Sequence, residues 1–405
     1  MTSQAVVTGI GVVAPTGIGR EEYWEATRAG GSAIAPITRF DASKYRARLA
    51  GQVPDFDPAE RLPSHLLPQT DPMTQYALIA AEHALDDAGI IPEQLPEYAA
   101  GVVTAAAYGG FEFGQGELQN LWSKGGEYVS AYQSFAWFYA VNTGQISIRH
   151  GMRGPGRVIV TEQAGGLDAV AQARRQVRGG TPVVVTGGAD SALCPWGWVS
   201  QIANGRVSLR EEPHRAYLPF SREACGYVPG EGAALLIVED ADSAHARGAR
   251  RYGEVAGYAA TFDPPPGSGR PPGLERAIRM ALADAEVTPQ EVDVVFADAA
   301  GVPDLDAVEA AALRAVFGER EVPVTAPKTG TGRLASAGAC LDLVAAFLAL
   351  RDQVIPPTPN VTRAHVAHPI ALVGPEPVSA SLQTALVLAR GIGGFNAAMV
   401  IRRAA

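Results

Sequence analysis

The apolar run Arg157-Val-Ile-Val160 leads through Thr161 and Glu162 into Gln163-Ala-Gly-Gly-Leu-Asp168. That pattern predicts a strand turning directly into a helix that begins near Gln163 with very small residues. The first turn of a helix offers free backbone N–H groups and a partial positive charge. Such a place suits a thiolate, whose pKa it lowers, or the oxyanion of an acyl-transfer intermediate. Position 163, however, holds a carboxamide, which cannot ionise and only donates and accepts hydrogen bonds. Two readings of Gln163 stay open: a structural hydrogen-bonding residue, or a group that polarises a bound substrate.

Other candidates for chemistry are weaker. Gly9-Ile-Gly-Val-Val-Ala14 has glycines spaced somewhat like a dinucleotide fingerprint, but Pro15 falls where the phosphate-binding helix should already run, so a core strand and turn are expected. Cys225 precedes a glycine-rich run and Cys340 follows Ala339, and neither opens a helix after a strand. Both are expected to be buried small residues. His365 and His368 form an HxxH pair without a third ligand candidate, which predicts a surface or packing role rather than a metal site. No metal and no cofactor are expected.

The elements that would position Gln163 alternate. Buried strands are predicted at 5–13, 101–107, 158–161, 183–186 and 232–239, with a helix at 76–88 on the strength of Ala77, Ala80, Ala81, Ala84 and Leu85. A second half is expected from about Arg251, giving units of 1–250 and 251–405. It has strands at 252–260 and 292–297, helices at 274–285 and 341–350, and an irregular Pro- and Gly-rich loop at 263–273. Strands at 384–390 and 396–402 flank Gly391-Ile-Gly-Gly394, a hairpin signal. Strands alternating with helices in a similar order in both halves predict an α/β protein with duplicated halves.

With 405 residues, 47% apolar and 19% charged, the chain is long enough for a large core and is not compositionally disordered. A net charge of -9 without any basic stripe argues against nucleic-acid binding. No leader-like or membrane-spanning apolar run is found, and the three scattered cysteines, Cys194 included, fit a reducing cytoplasm.

Taken nearly end to end, the chain resembles the β-ketoacyl synthases of the thiolase superfamily. Gly226-Tyr-Val-Pro-Gly-Glu-Gly232 is similar to their glycine-rich segment and Gly391-Ile-Gly-Gly-Phe395 to their C-terminal turn. The resemblance implies the thiolase-like fold, with duplicated halves in five layers, αβαβα. It also puts Gln163 where active members carry the acyl-accepting cysteine. Of their two histidines, the first corresponds to Asp298, upstream of Asp306 and Glu309, and the second to Arg333, five residues after the retained Lys328. Arginine cannot alternate as acid and base, and an aspartate is wrongly charged to stabilise an enolate. Lys328 and Glu309 are expected to survive as a structural ion pair.

Glutamine in this setting, with Leu67-Pro-Gln-Thr-Asp71, Ser134-Phe-Ala-Trp-Phe-Tyr-Ala-Val-Asn-Thr-Gly144 and Pro195-Trp-Gly-Trp-Val-Ser-Gln201, resembles the chain-length factors, or ketosynthase β subunits, of aromatic type II polyketide synthases, the actinorhodin type among them. That resemblance implies a heterodimer with a catalytic ketosynthase, an acyl carrier protein that delivers malonyl units, and no condensing activity of the chain alone. It further implies that Phe111, Gly114 and Leu118, spaced to share one helix face, line a tunnel for the poly-β-ketone, with Trp196 as a deeper wall. The small side chains at 114 and 118 then predict a product longer than an octaketide. The alternative is decarboxylation of malonyl carrier protein by Gln163 to prime the chain.

Overall fold

The computed structural model describes residues 4–265, 267–362 and 365–404. Residues 1–3 at the start and Pro266 in the Pro- and Gly-rich loop lie outside the described residues. The first half comprises β1 (Ala5–Ala14), α1 (Pro72–Ala88), β2 (Ala100–Ala105), α2 (Phe111–Lys124), α3 (Val141–Arg149), β3 (Gly156–Ile159), α4 (Gly165–Arg178), β4 (Val183–Asp190), α5 (Pro195–Ala203) and β5 (Gly232–Asp240). The second half comprises β6 (Gly253–Phe262), α6 (Leu274–Asp284), β7 (Val294–Phe296), α7 (Pro303–Phe317), β8 (Pro323–Thr325), α8 (Ser336–Asp352), β9 (Thr384–Gly391) and β10 (Phe395–Arg403).

Short marginal strands aside, the strand order is β1-β5-β4-β2-β3 in the first half and β6-β10-β9-β7-β8 in the second. The order and the pattern of parallel and antiparallel neighbours are the same in both. The duplication expected from the element order is thus present in the topology. The halves join where Val6 and Val7 of β1 pair with Glu254 and Gly253 of β6.

The core explains the layers. α4 and α8 pack together between the two half-sheets in one apolar cluster. α1 and α3 cover the outer face of the first half-sheet, and α6 and α7 that of the second. The result is the five-layered αβαβα arrangement of the thiolase-like fold. α8 is buried from Ser336 to Leu350, as its nearly unbroken run of small and apolar residues requires. No helix among the described residues is long and apolar enough to cross a membrane.

The glycines of β1 serve packing, not phosphate. A Cβ at Gly11 would lie 1.8 Å from the Ala80 carbonyl oxygen, and one at Gly9 2.1 Å from that of Ala84. The strand lies directly on the backbone of α1, and it stays extended to Ala14, where a dinucleotide fold would have begun its helix. Replacing Gly11 with alanine is therefore expected to destabilise the protein by about 2 kcal/mol through overpacking, read as a lowered denaturation midpoint.

Two of the three cysteines are buried, but Cys225 is exposed, contrary to expectation. It sits among the polar residues Arg222, Glu223 and Tyr227, and its sulfur accepts a hydrogen bond from Arg210 Nε at 3.3 Å instead of packing in the core. His368 packs edge-on against Phe220, and His365 Nδ1 lies 3.3 Å from Thr362 Oγ1, so the HxxH pair is taken up by local contacts.

Candidate functional site

The strand β3 does not pass straight into α4. A single 3-10 turn, Glu162–Ala164, intervenes, with Glu162 held at φ 52°. A left-handed conformation is costly for a residue with a side chain. Two contacts hold it. The Ile392 N–H of the glycine turn donates to the Glu162 carboxylate at 2.9 Å, and the Ser336 hydroxyl donates to the Glu162 carbonyl at 3.0 Å. The elbow is thus tied to the hairpin of one half and to the start of α8.

Gln163, at the centre of this elbow, is fully buried, and neither polar atom of its carboxamide has a hydrogen-bond partner among the described residues. It lies against the first turn of α8, where a Cβ on Gly338 would come within 2.5 Å of Gln163 Nε2.

Asp298 and Arg333 form a closed ion pair. Arg333 Nη2 donates to both carboxylate oxygens, at 2.9 and 3.2 Å, while Nη1 donates to the Asp298 carbonyl at 3.1 Å. The Arg390 N–H adds a third hydrogen bond to the Asp298 carboxylate, at 2.8 Å. Burial alone would raise the pKa of Asp298, but the charges of Arg333, Lys328 and Arg390 outweigh it and hold the carboxyl below its usual range. The carboxylate stays ionised and the guanidinium stays protonated, so neither can carry a proton between acid and base duty. The Arg333 guanidinium also lies 5.7 Å from the centre of the Tyr227 ring.

The expected Lys328–Glu309 ion pair is not formed. Lys328 instead pairs with Asp342 of α8 at 2.6 Å and donates to the Asp298 carbonyl at 3.0 Å. Glu309 accepts the N–H groups of Asp298 and Ala299, at 2.7 and 2.9 Å. Both its oxygens are used on backbone, and burial followed by the nearby Asp298 charge pushes its pKa up to about 7. Asp306 holds the same loop by accepting from Gly301 and Phe220. The sequence did contain a signal for Asp342: it is a lone acid inside the apolar helix 336–350, and a charge in such a place needs a partner.

Beside the pair lies a cavity of about 90 Å³ walled by Arg206, Tyr227, Asp298, Arg333, Arg390 and the glycine turn at 391–394. Gln163 is not among its walls. The three positions that resemblance places together chemically are therefore occupied by a sealed carboxamide and a self-satisfied ion pair.

The helices α2 and α5 pack together and bring into contact residues expected of a tunnel. The Phe111 and Trp196 rings meet edge to face with centroids 4.9 Å apart. A Cβ at Gly114 would lie 3.3 Å from Trp196 Cζ3 and 3.7 Å from Trp137 Cβ. Leu118 lies half-buried one turn further along α2. Trp137 is an addition that sequence reasoning quoted only as part of a motif. Trp196 and Trp137 are each 47% exposed, and Trp122 at the end of α2 is 78% exposed. Such an aromatic surface marks a contact region.

Two family models match the chain: the β-ketoacyl synthase N-terminal domain over residues 2–244 and the C-terminal domain over residues 252–362. The actinorhodin polyketide putative β-ketoacyl synthase 2 of Streptomyces coelicolor is 60% identical over 98% of both chains. The tetracenomycin polyketide synthase ketoacyl synthase β subunit of Streptomyces glaucescens is likewise 60% identical over 98% of both. Among solved structures, the ishigamide ketosynthase/chain length factor superposes with a TM-score of 0.91 at 29% identity over the whole of both chains. By family models that span both halves and by curated relatives that share more than half of its residues, the chain belongs to the β-ketoacyl synthase family, on the branch of the polyketide ketosynthase β subunits.

Proposed function

We propose that this chain is the non-condensing, chain-length-setting subunit of an aromatic polyketide synthase, paired with a cysteine-bearing ketosynthase in the cytoplasm. The observation that carries the reading is the ion pair between Asp298 and Arg333. It fills both histidine positions with groups that satisfy each other, behind a nucleophile position that holds Gln163. The partner supplies the thiol on which the chain grows. Carrier protein supplies malonyl units, and a solved relative at 28% identity is a type II ketosynthase complex with its acyl carrier protein.

Two surfaces support the pairing. β3 ends the sheet with one side unpaired among the described residues, an open edge that invites another strand. The aromatic residues on and beside α2 and α5 are exposed in the single chain, as at an interface awaiting its other half. Phe111, Gly114, Leu118 and Trp196 then form this subunit's wall of the tunnel. Growth stops when the next two-carbon unit would overpack it. With glycine at 114 and leucine at 118, the wall leaves room for a product longer than an octaketide.

One observation favours a second role for Gln163: the Nε2 of its buried carboxamide has no acceptor among the described residues, so it could donate to a thioester carbonyl that displaced its packing. Decarboxylation of malonyl carrier protein would follow. The two readings separate in a simple comparison. The chain alone, incubated with malonyl carrier protein, is expected to release no carbon dioxide above background and to make no polyketide. Addition of the ketosynthase restores product. Carbon dioxide from the isolated chain, lost on Gln163→Ala, would favour the decarboxylase. A further expectation follows from the ion pair. Gln163→Cys should not gain condensing activity, because no histidine stands at 298 or 333 to assist, and intact-protein mass spectrometry should show acylation at most.

A further inference from the structure

The helix α2, which carries Phe111 and Gly114, has no cap of its own. Its N-cap residue is Gly110, which has no side chain to accept from the first turn. The missing acceptor comes from a distant part of the chain. Asp71 caps α1 with Oδ1, which accepts the Met73 N–H at 2.9 Å, while Oδ2 accepts the Phe113 N–H of α2, also at 2.9 Å. One carboxylate therefore caps two helices. Asp71 is almost completely buried, and Gly110 packs so closely that a Cβ there would lie 3.0 Å from Asp71 Cβ.

The other end of the loop is held in the same manner. Asp190, the last residue of β4, accepts the N–H groups of Ala107 and Tyr108 at 2.9 and 3.1 Å, and that of Ser336 at the start of α8 at 2.9 Å. Between these two buried carboxylates, Gly110 donates its N–H to the Trp137 carbonyl at 2.9 Å. The segment 107–113 is thus fixed from both sides before the helix begins. Within α2, Gly114 and Gly116 weaken the helix itself. The placement of Phe111 then depends on the pins at its root more than on the helix's own rigidity.

We propose that Asp71 is a positioning residue for product length: it sets where the α2 wall stands by tying the first turn of α2 to the core helix α1, with Asp190 fixing the approach. The proposal rests on the reading of Phe111 and Gly114 as tunnel wall. Asp71 touches no substrate and acts through Phe111.

The chemistry of the cap gives a selective test. Asp71→Ser keeps a hydroxyl for the Met73 N–H and removes the second oxygen. Asp71→Asn keeps one oxygen for Met73 and turns an NH2 toward the Phe113 N–H. Both retain the cap of α1 and release α2. Each is assembled with the ketosynthase partner, carrier protein and a malonyl supply, and product lengths are read by mass spectrometry. Thr288→Ala, which loses a distant capping box, serves as the control for general loss of stability, and Gly114→Phe runs in parallel.

The expected result is a rise of about tenfold in the ratio of off-length to main product for the Asp71 variants, the scale of one lost hydrogen bond, with no such rise for Thr288→Ala. If Asp71→Ser does not assemble, Asp71→Asn decides. An unchanged distribution in an assembled Asp71 variant, alongside a response to Gly114→Phe, overturns the positioning role and leaves the tunnel reading standing. No response from either position overturns the tunnel reading itself. An equal spread of lengths from Thr288→Ala reduces the effect to stability and also overturns the proposal.

Discussion

Gly114→Phe is expected to shorten the major polyketide by one or more two-carbon units while total turnover of the assembled complex stays similar. The reason is the space at that position. A Cβ already comes to 3.3 Å of Trp196 Cζ3, so a benzyl group must either push Trp196 aside or wedge between Trp196 and Trp137. Trp196 has little freedom to retreat, since Phe111 packs on its ring and its backbone N–H donates to Gln115 Oε1 at 2.7 Å. A tunnel closed here overpacks with a shorter chain. Length profiles from reconstituted complexes measure the effect directly. An unchanged profile in a folded, assembled variant removes Gly114 from the wall.

The second large effect concerns stability. Arg333→Met is expected to cost about 3–5 kcal/mol, because it leaves the buried Asp298 carboxylate without its principal counter-charge. Lys328 cannot take over: its ammonium is already bound to Asp342, and it reaches only the carbonyl of Asp298. Removing both partners, as Asp298→Leu with Arg333→Met, should recover part of that loss, since apolar groups carry no desolvation penalty. Recovery is incomplete because the Arg390 carbonyl, which now accepts from Arg333 Nη2 at 2.6 Å, loses its donor. Denaturant unfolding of the two single variants and the double variant measures the coupling. A cost below about 1 kcal/mol for Arg333→Met would mean that water or relaxation reaches Asp298, and that the pair is not sealed.

The secondary structure is legible in the sequence where pattern and burial agree. The buried strand at the start, the Ala-rich helix and the closing hairpin follow from apolar period and turn chemistry alone, although the helix begins at Pro72 behind its cap Asp71, one turn before the expected Tyr76. The elbow is less legible. A 3-10 turn with Glu162 in a left-handed conformation exists only because Ile392 and Ser336 hold it from remote parts of the chain. The residue types at the site are plain in the sequence, but their partners are not. Glu309 is free to pair with Lys328 on paper; in the fold, two backbone N–H groups claim it first. Cys225 shows the same limit from the opposite direction: a cysteine beside glycines suggests the interior, while its charged neighbours Arg222 and Glu223 mark the surface. Trp137 comes beside Gly114 only when its loop folds back over Gly110, a contact without a sequence period.

The locked pair at 298 and 333 also bears on redesign. Histidines are not readily introduced there one substitution at a time. Asp298→His alone strands a buried guanidinium among further positive charge, and Arg333→His alone weakens the hold of residue 333 on the buried Asp298 carboxylate. Each halfway form is expected to unfold at lower denaturant than the present pair, so the two positions are bound to change together. An engineer who wishes to place acid–base chemistry there must change both positions in a single step.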